Sequence, residues 1–119
     1  MNTPIAIIDD NNFLIKSVKD KLSLYPDISI AFTANDGQQC LEKLNLNARV
    51  KLILMDIEMP RLNGIEATAK IKQKYPHIKI IMLTVFDDDE NIFKAIQSGA
   101  DGYLLKETSS PHLFNAIVQ

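Results

Sequence analysis

Residues 51–60 read KLILMDIEMP, and this stretch decides the fold that the sequence predicts. Four apolar residues, 52–55, run directly into Asp56, and Pro60 closes the stretch. A short, continuous apolar run of this kind is typical of a strand buried on both faces of a parallel sheet. Open α/β sheets bind ligands at the carboxyl ends of their strands, so Asp56 is predicted to occupy a ligand-binding position.

The rest of the chain repeats the alternation of an apolar run with a segment of helical periodicity. Strict alternation predicts a parallel sheet covered by helices on both faces. We therefore expect a flavodoxin-like α/β fold, (βα)5, with strand order 2-1-3-4-5 and the second strand, which alternates apolar and polar residues, at an edge. The predicted strands are 5–8, 28–33, 52–55, 78–83 and 102–105.

Capping residues and helix-ending signals mark where the helices begin and end. Asn63-Gly64 predicts a turn before a helix over 65–74. The fourth helix, ending near Gly99, is predicted to bury an apolar face. That face consists of Ile92, Phe93 and Ile96. The predicted helix starts are Asn11-Asn12, Asn35 or Asp36, the acids 87–90, and Ser109-Ser110 before Pro111.

Length and composition limit the classes of protein to consider. The chain has 119 residues, 46% of them hydrophobic, which suits one domain with a substantial core. The net charge of −2 provides no basic surface for nucleic acid, and no apolar run is long enough to span a membrane. The amino terminus lacks the pattern of a signal peptide. With a single cysteine, Cys40, the sequence favours a reducing cytoplasm.

Four of the five predicted strands end in a functional side chain. These residues are Asp9 and Asp10, Asp56, Thr84, and Lys106. In the order 2-1-3-4-5 the binding crevice opens between strands 1 and 3, where the strand order reverses. We therefore expect the three acids to face each other there, with Thr84 and Lys106 on the other side of Asp56.

Three carboxylates this close cannot all stay ionised without a counter-charge, so either one holds a proton or a cation lies between them. Oxygen ligands at an open edge, without His or Cys, select a hard cation. Mg²⁺ prefers one or two carboxylates completed by water and phosphate oxygens. Lys106 adds a positive charge for a phosphate oxygen and Thr84 adds a hydroxyl donor. A carboxylate can itself attack phosphorus, so Asp56 is a candidate for phosphorylation.

Four motifs in this order and spacing resemble the receiver domain of two-component response regulators. They are IAIIDDN (5–11), LILMDIEMPRLNGIE (52–66), IIMLTVFDD (80–88) and ADGYLLK (100–106). With the helices between them they cover the whole chain. GADGYLLK together with LTVFDDDE is most similar to the NarL/LuxR subfamily, whose receivers precede a helix-turn-helix DNA-binding domain.

The resemblance implies Mg²⁺ as cofactor and a histidine kinase, or a small acyl phosphate in its place, as phosphodonor. Many receivers continue the lysine with a cis proline, whereas Glu107 follows Lys106 here. A cis bond before a non-proline residue costs about 3 kcal/mol, so we assume none. The resemblance implies that Asp56 is the phosphoacceptor. It implies that Asp10 and Asp56 bind Mg²⁺ directly, Asp9 through water, and Glu58 through its backbone carbonyl. Thr84 and Lys106 are expected to contact the phosphoryl group, and Tyr103 to change rotamer together with Thr84.

The resemblance also implies how the domain is used. Residues 1–119 are expected to be one receiver domain cut from a longer protein whose DNA-binding domain is absent, with a stand-alone receiver as the alternative. Homodimerisation on phosphorylation is expected, as is contact with DNA only through the effector domain. Because they stand two positions past Asp56 and Thr84, Glu58 and Phe86 are expected to border the path of the water that hydrolyses the phosphoryl group.

Two other functions use related architecture. A phosphatase of the haloacid-dehalogenase type also places a nucleophilic Asp after a strand with Mg²⁺, but it needs a second acid two residues later followed by Thr or Val. Glu58-Met59 fits that requirement poorly. A flavodoxin-like electron carrier needs a Gly- or Thr-rich phosphate-binding loop after the first strand, where this chain has Asp9-Asp10.

Overall fold

The computed structural model describes residues 2–47 and 49–119 of the chain. Strands and helices alternate throughout these residues, which confirms the predicted fold class. The elements are β1 (Thr3–Ile8), α1 (Asn12–Leu22), β2 (Ile28–Ala34), α2 (Gly37–Leu44), β3 (Leu52–Met55), α3 (Gly64–Lys74), β4 (Lys79–Thr84), α4 (Asp89–Ser98), β5 (Gly102–Leu105) and α5 (Ser110–Val118).

The five strands form one parallel sheet in the order β2-β1-β3-β4-β5, as predicted. The central strand β3 is buried at every position because both of its edges are paired and both of its faces are covered. Its continuous apolar sequence is the consequence of that position. The predicted edge position of β2 is confirmed, and β5 forms the other edge.

Two apolar clusters, one on each face of the sheet, hold the helices in place. Ile15, Val18 and Leu22 of α1 join Leu113 and Ile117 of α5 in one cluster. The other cluster takes its helical members from α2, α3 and α4: Cys40, Leu44, Ala67, Ile71 and Ala95. Each fully buried Leu or Ile side chain stabilises the fold by roughly 2 kcal/mol, so both helical layers are firmly attached to the sheet.

Side-chain caps start the helices at or next to the predicted residues. Asn11, Asp36, Asp88 and Ser109 each accept backbone N–H bonds at an N-cap. The predicted turn at Asn63-Gly64 is wrong in detail. Asn63 caps α3 in a reciprocal capping box with Glu66, and Gly64 is already the first helical residue.

The predicted apolar face of α4 is also wrong. Among the described residues of α4, Ala95 is the one that is fully buried. Phe93 and Ile96 are 62% and 63% exposed. Ile92 is half-buried. Helical spacing aligns Ile92, Ala95 and Gly99 on one stripe, which leaves Phe93 and Ile96 on the neighbouring face. Gly99 ends the helix with a left-handed φ of 105°, as predicted.

Across the described residues 2–47 and 49–119, no helix is long and apolar enough to cross a membrane.

Candidate functional site

The predicted acidic cluster forms at the carboxyl edge of the sheet. Ile8 and Met55 are register partners in β1 and β3, so Asp9 and Asp56 leave the sheet side by side. Carboxylate oxygens of Asp9, Asp10 and Asp56 lie within 4.8 Å of one another. Asp9 and Asp56 are buried, whereas Asp10 is exposed. The cluster therefore has a closed side against the sheet and an open side toward solvent.

Lys106 supplies the positive charge in this cluster. Its Nζ lies 2.9 Å from Asp9 Oδ2 and 3.3 Å from Asp56 Oδ2. Burial alone would lower the pKa of the ammonium, but the bonds and charges of the two acids raise it above its usual value. Lys106 is brought there because its backbone N–H continues the β4–β5 pairing, donating to the carbonyl of Thr84 at 2.9 Å.

The carboxyl of Asp56 stays costly to ionise despite Lys106. Burial and the charge of Asp9 raise its pKa to about 6, although Lys106 and the N–H of Ile57 oppose the rise. That N–H donates to Asp56 Oδ1 at 2.9 Å. Near neutral pH the group is therefore mostly ionised but at a cost, and a buried carboxyl with a raised pKa beside a groove is a candidate functional group.

The side chains of Thr84 and Tyr103 both form hydrogen bonds with the backbone of Phe86. Thr84 is fully buried, and its hydroxyl oxygen accepts the N–H of Phe86 at 3.3 Å. The half-buried Tyr103 donates its hydroxyl to the carbonyl of Phe86 at 2.7 Å. Burial and then the charges of Asp88 and Asp87 raise the pKa of Tyr103. The backbone of Phe86 thus joins the two side chains predicted to change together.

The donor set fits a hard divalent cation. Three carboxylates with a single ammonium carry a net charge of about −2, and Asp10 opens onto a groove lined also by Asp56, Glu58, Pro60 and Phe86. These are oxygen donors only, the ligand type of Mg²⁺ rather than of zinc or copper. The exposed side chain of Glu58 borders this groove.

The family model for the response regulator receiver domain matches residues 5–118. The chain belongs to this family. The match includes every residue of the acidic cluster and runs through all ten structural elements.

Relatives of the receiver include transcriptional regulators. The chain is 36% identical to the transcriptional regulatory protein DegU of Brevibacillus brevis over 95% of its own length and 48% of that protein. The receiver domain of the BeF3-activated DrrB structure has a TM-score of 0.83 at 28% identity, covering 99% of this chain and 96% of that one. A LuxR-family DNA-binding response regulator from Staphylococcus aureus has a TM-score of 0.87 at 28% identity, covering 98% and 99%.

These similarities are consistent with the NarL/LuxR subfamily that the motifs predicted. The chain spans about half the length of the curated relatives it matches, 48% to 56%.

Gly64 brings the start of α3 directly against the backbone of Asp56. A Cβ on Gly64 would lie 1.8 Å from the carbonyl oxygen of Asp56. The N–H of Gly64 donates to the carbonyl of Ile57 at 2.7 Å. Only a residue without a side chain permits this approach. The sequence suggested a turn at Asn63-Gly64. The signal that could have indicated this role was a glycine directly after Asn63, the N-cap of α3.

A second support of the receiver site was missed from sequence. Arg61, with a left-handed φ of 64°, directs its guanidinium to Asp36 Oδ2 at 2.9 Å from Nε and 2.8 Å from a terminal nitrogen. Burial opposes ionisation of Asp36, but the Gln39 N–H and Arg61 hold its pKa below the usual value. The N–H of Gly37 also donates to the carbonyl of Leu62 at 2.9 Å. The loop between β3 and α3 is therefore fastened to the start of α2.

No cis peptide bond occurs in residues 2–47 and 49–119, so the bond between Lys106 and Glu107 is trans.

Proposed function

We propose that this receiver is a phosphoacceptor switch of a two-component system, in which a histidine kinase phosphorylates Asp56. The observation that carries the proposal is the arrangement around Asp56. Its buried carboxylate shares the Lys106 ammonium with Asp9 and faces an open groove. A nucleophile with a raised pKa, a neighbouring cation and access from solvent are what phosphoryl transfer to a carboxylate requires.

Asp10, Asp9 and Asp56 would hold Mg²⁺, together with the backbone carbonyl of Glu58. The bound ion would screen the repulsion between Asp56 and the incoming phosphoryl group. Asp10 is suited to a direct bond because its side chain is exposed. Asp9 is engaged already, since its Oδ1 accepts the N–H of Asn11 at 2.9 Å and its Oδ2 accepts Lys106. A water-mediated role for Asp9 agrees with those contacts.

In the proposed step a carboxylate oxygen of ionised Asp56 attacks the phosphorus. The new O–P bond forms while the P–N bond of the phosphohistidine breaks, and its electron pair leaves with the imidazole nitrogen. With an acyl phosphate, the P–O bond breaks and a carboxylate leaves. Lys106, held between Asp9 and Asp56, can then bind a new phosphoryl oxygen, a stronger acceptor than a shared carboxylate. Water later hydrolyses the phosphorylated Asp56 at the same site. The chemistry of the domain is therefore limited to phosphorylation and dephosphorylation of its own aspartate.

The switch would act through Phe86. A phosphoryl oxygen on Asp56 offers Thr84 a charged acceptor. If the Thr84 hydroxyl turns toward it, the bond from Phe86 N–H is lost. The freed backbone of Phe86 can then shift, which would break the bond from the Tyr103 hydroxyl to its carbonyl and let Tyr103 turn inward. This shifts the population between two packings of α4, β5 and α5. A change from 1:99 to 99:1 would need about 5.5 kcal/mol of differential stabilisation, so we expect a partial shift.

The output would be transcriptional. A DNA-binding effector domain on the same polypeptide would read the changed surface, and phosphorylation would promote a homodimer. The support is the length of the curated relatives, about twice that of this chain, and the regulator names they carry. We propose a cytoplasmic location, where a sensor kinase exposes its phosphohistidine.

Incubation with acetyl phosphate and Mg²⁺ tests the proposal. We expect the protein to gain one phosphoryl group by intact mass spectrometry, Asp56→Asn to gain none because its amide is not a nucleophile, and EDTA to suppress the gain. Asp20→Asn, which changes an exposed acid paired with Lys16 on α1, is the control that should behave as the wild type. Equal gains in the wild type and Asp56→Asn would contradict the assignment of Asp56.

The lifetime of the phosphoryl group gives a further prediction. Phe86 is half-buried beside the groove that leads to Asp56. Phe86→Ala should speed loss of the phosphoryl group several-fold, because water gains an in-line path to the phosphorus. The backbone bonds of residue 86 to Thr84 and Tyr103 do not depend on its side chain. Phe86→Leu, which keeps most of the bulk, is the control. The decay of the phosphorylated species by intact mass after removal of the donor measures the rate. Equal decay rates for Phe86→Ala and the wild type would exclude shielding by Phe86.

A further inference from the structure

A lysine of α1 contacts the backbone that carries Lys106. Lys21 lies in the last turn of α1, and its side chain is half-buried. Its Nζ donates to the carbonyl oxygen of Lys106 at 3.1 Å and to that of Thr108 at 3.0 Å. One ammonium thus bridges two carbonyls on either side of Glu107. An ammonium offers three donors in rotatable directions, so it can bind both at once.

The bridged segment is where the chain leaves the sheet. The N–H of Lys106 makes the last bond to β4, and the N–H of Thr108 then donates to the carbonyl of Leu105 at 3.0 Å, which reverses the chain. α5 begins two residues later, at Ser110. The side chain of Lys106 must reach Asp9 and Asp56 from the start of this turn. Any displacement of the turn therefore moves its ammonium relative to both acids.

The helix that carries Lys21 is firmly fixed without it. Ile15, Val18 and Leu22 are buried against the sheet. Beyond the helix, the rings of Tyr25 and Phe114 stack with centroids 4.1 Å apart, which joins the end of α1 to α5. Lys21 therefore connects the turn after β5 to a rigid support. Loss of its ammonium removes two hydrogen bonds and leaves these apolar contacts intact.

Lys21 also lies close to the reacting groups. It lines one small cavity of about 20 Å³ between α1 and the sheet, together with Asp9, Asp56 and Lys106. A cavity of this volume holds no more than about one water molecule, so these side chains pack closely on this side of the site. On its other side Lys106 borders the open groove at Asp56, so the turn that carries it has to be held by contacts such as the Lys21 bridge.

We propose that Lys21 is a positioning residue for phosphoryl transfer: its ammonium, bound to the carbonyls of Lys106 and Thr108, fixes the turn from which Lys106 reaches the phosphoryl group. The proposal rests on the proposed function, since it assumes that Lys106 contacts the transferred group. Among the described residues, the Lys21 ammonium forms no ion pair with Asp9 or Asp56. It sets the place of the residue that does.

Three variants test the role. Lys21→Met keeps the length of the apolar stem and removes the ammonium. Lys21→Arg restores a cation with several N–H donors. Lys19→Met, an exposed lysine of the same last turn, removes the same charge without touching the turn after β5. The rate of phosphorylation by acetyl phosphate and Mg²⁺ is followed by intact mass, and backbone amide shifts of residues 106–109 are recorded in the unphosphorylated proteins.

We expect Lys21→Met to slow phosphorylation about tenfold, less than the roughly 100-fold attributed to a 1 Å misplacement of a reacting group. Amide shifts at 106–109 should change with it. Lys21→Arg should recover most of the rate, and Lys19→Met should match the wild type. Equal rates for Lys21→Met and Lys19→Met would overturn the positioning role alone. A slower Lys21→Met that Lys21→Arg does not rescue would overturn it too. A wild type that gains no phosphoryl group would instead refute the proposed function, and the inference with it.

Discussion

Gly64→Ala is expected to destabilise the protein by about 3 kcal/mol or more, the upper range for forced overpacking of a core. The added methyl would lie 1.8 Å from the carbonyl oxygen of Asp56 and 3.0 Å from the side chain of Met55. The first contact is with backbone at the end of a buried strand, which has no free space into which to move. Either α3 or the Asp56 peptide must shift. Urea unfolding monitored by circular dichroism measures the loss.

The same substitution should slow phosphorylation on the order of 100-fold in whatever fraction stays folded, because Asp56 itself is displaced. Gly102→Ala is the matched control. Its added methyl would meet the side chain of Ile81 at 3.4 Å, an ordinary contact. We expect that control to stay within about 1 kcal/mol of the wild type, near the intrinsic difference between Gly and Ala. A Gly64→Ala variant as stable as Gly102→Ala would show that the approach of α3 to Asp56 is relaxed in solution.

Asp56→Asn should raise the free energy of unfolding by about 2 kcal/mol at pH 7 when Mg²⁺ is absent. The pKa of Asp56 is about 6 in the folded protein against a usual 3.8, which sets an upper limit of about 3 kcal/mol for the cost of ionising it there. The Asn amide needs no ionisation, but it gives up part of the contact with Lys106. We therefore expect a gain somewhat below that limit.

The sign of the pH dependence follows from the same shift. Between about pH 4 and 6 the folded state holds more protons on Asp56 than the unfolded state, so this group makes the wild type less stable as the pH rises. The gain from Asp56→Asn should be small at pH 4, grow through this window and level off above it. Denaturant titrations at several pH values measure it. Added Mg²⁺ should narrow the gap by stabilising the wild type. A gain that is constant with pH would show that ionisation of Asp56 is not the cause.

The sheet and the acidic cluster were predictable because local sequence determines them. The apolar run of β3 requires burial on both faces, and this forces β3 into the centre beside β1. Once the two strands pair, Asp9 and Asp56 have to lie together, so the cluster followed from the strand order. Lys106 could be predicted to lie near this cluster because it follows β5, and the carboxyl ends of all parallel strands lie at the same edge of the sheet.

The supports of the site were not predictable in that way. Arg61 meets Asp36 across 25 residues of sequence, and Lys21 meets the carbonyl of Lys106 across 85. No spacing pattern encodes such pairs, because each depends on how two loops or a helix and a loop approach in space. The left-handed backbone of Arg61 had no glycine or asparagine to mark it.

The error on α4 has a different origin. Ile92, Phe93 and Ile96 are spaced in a way that fits two neighbouring helical stripes, and periodicity favours the larger side chains. The sheet accepts the stripe with the small residue, since Ala95 lets the helix approach closely. Side-chain hydrophobicity ranks Phe93 above Ala95 as a core residue, whereas in the structure Ala95 is buried and Phe93 is exposed.

Displacement of α4 should cost little free energy, because Ala95 is the one buried residue among the described residues of this helix. Because Phe93 and Ile96 are already hydrated, a tilt or slide of this helix uncovers only Ala95 and part of Ile92 among its apolar side chains, and the hydrophobic penalty that resists such motion is small. Its amide protons should accordingly exchange with deuterium faster than those of α3, whose Ala67, Thr68 and Ile71 are fully buried. In the proposed function, the few hydrogen bonds formed by a phosphoryl group at Asp56 would then be enough to move this helix.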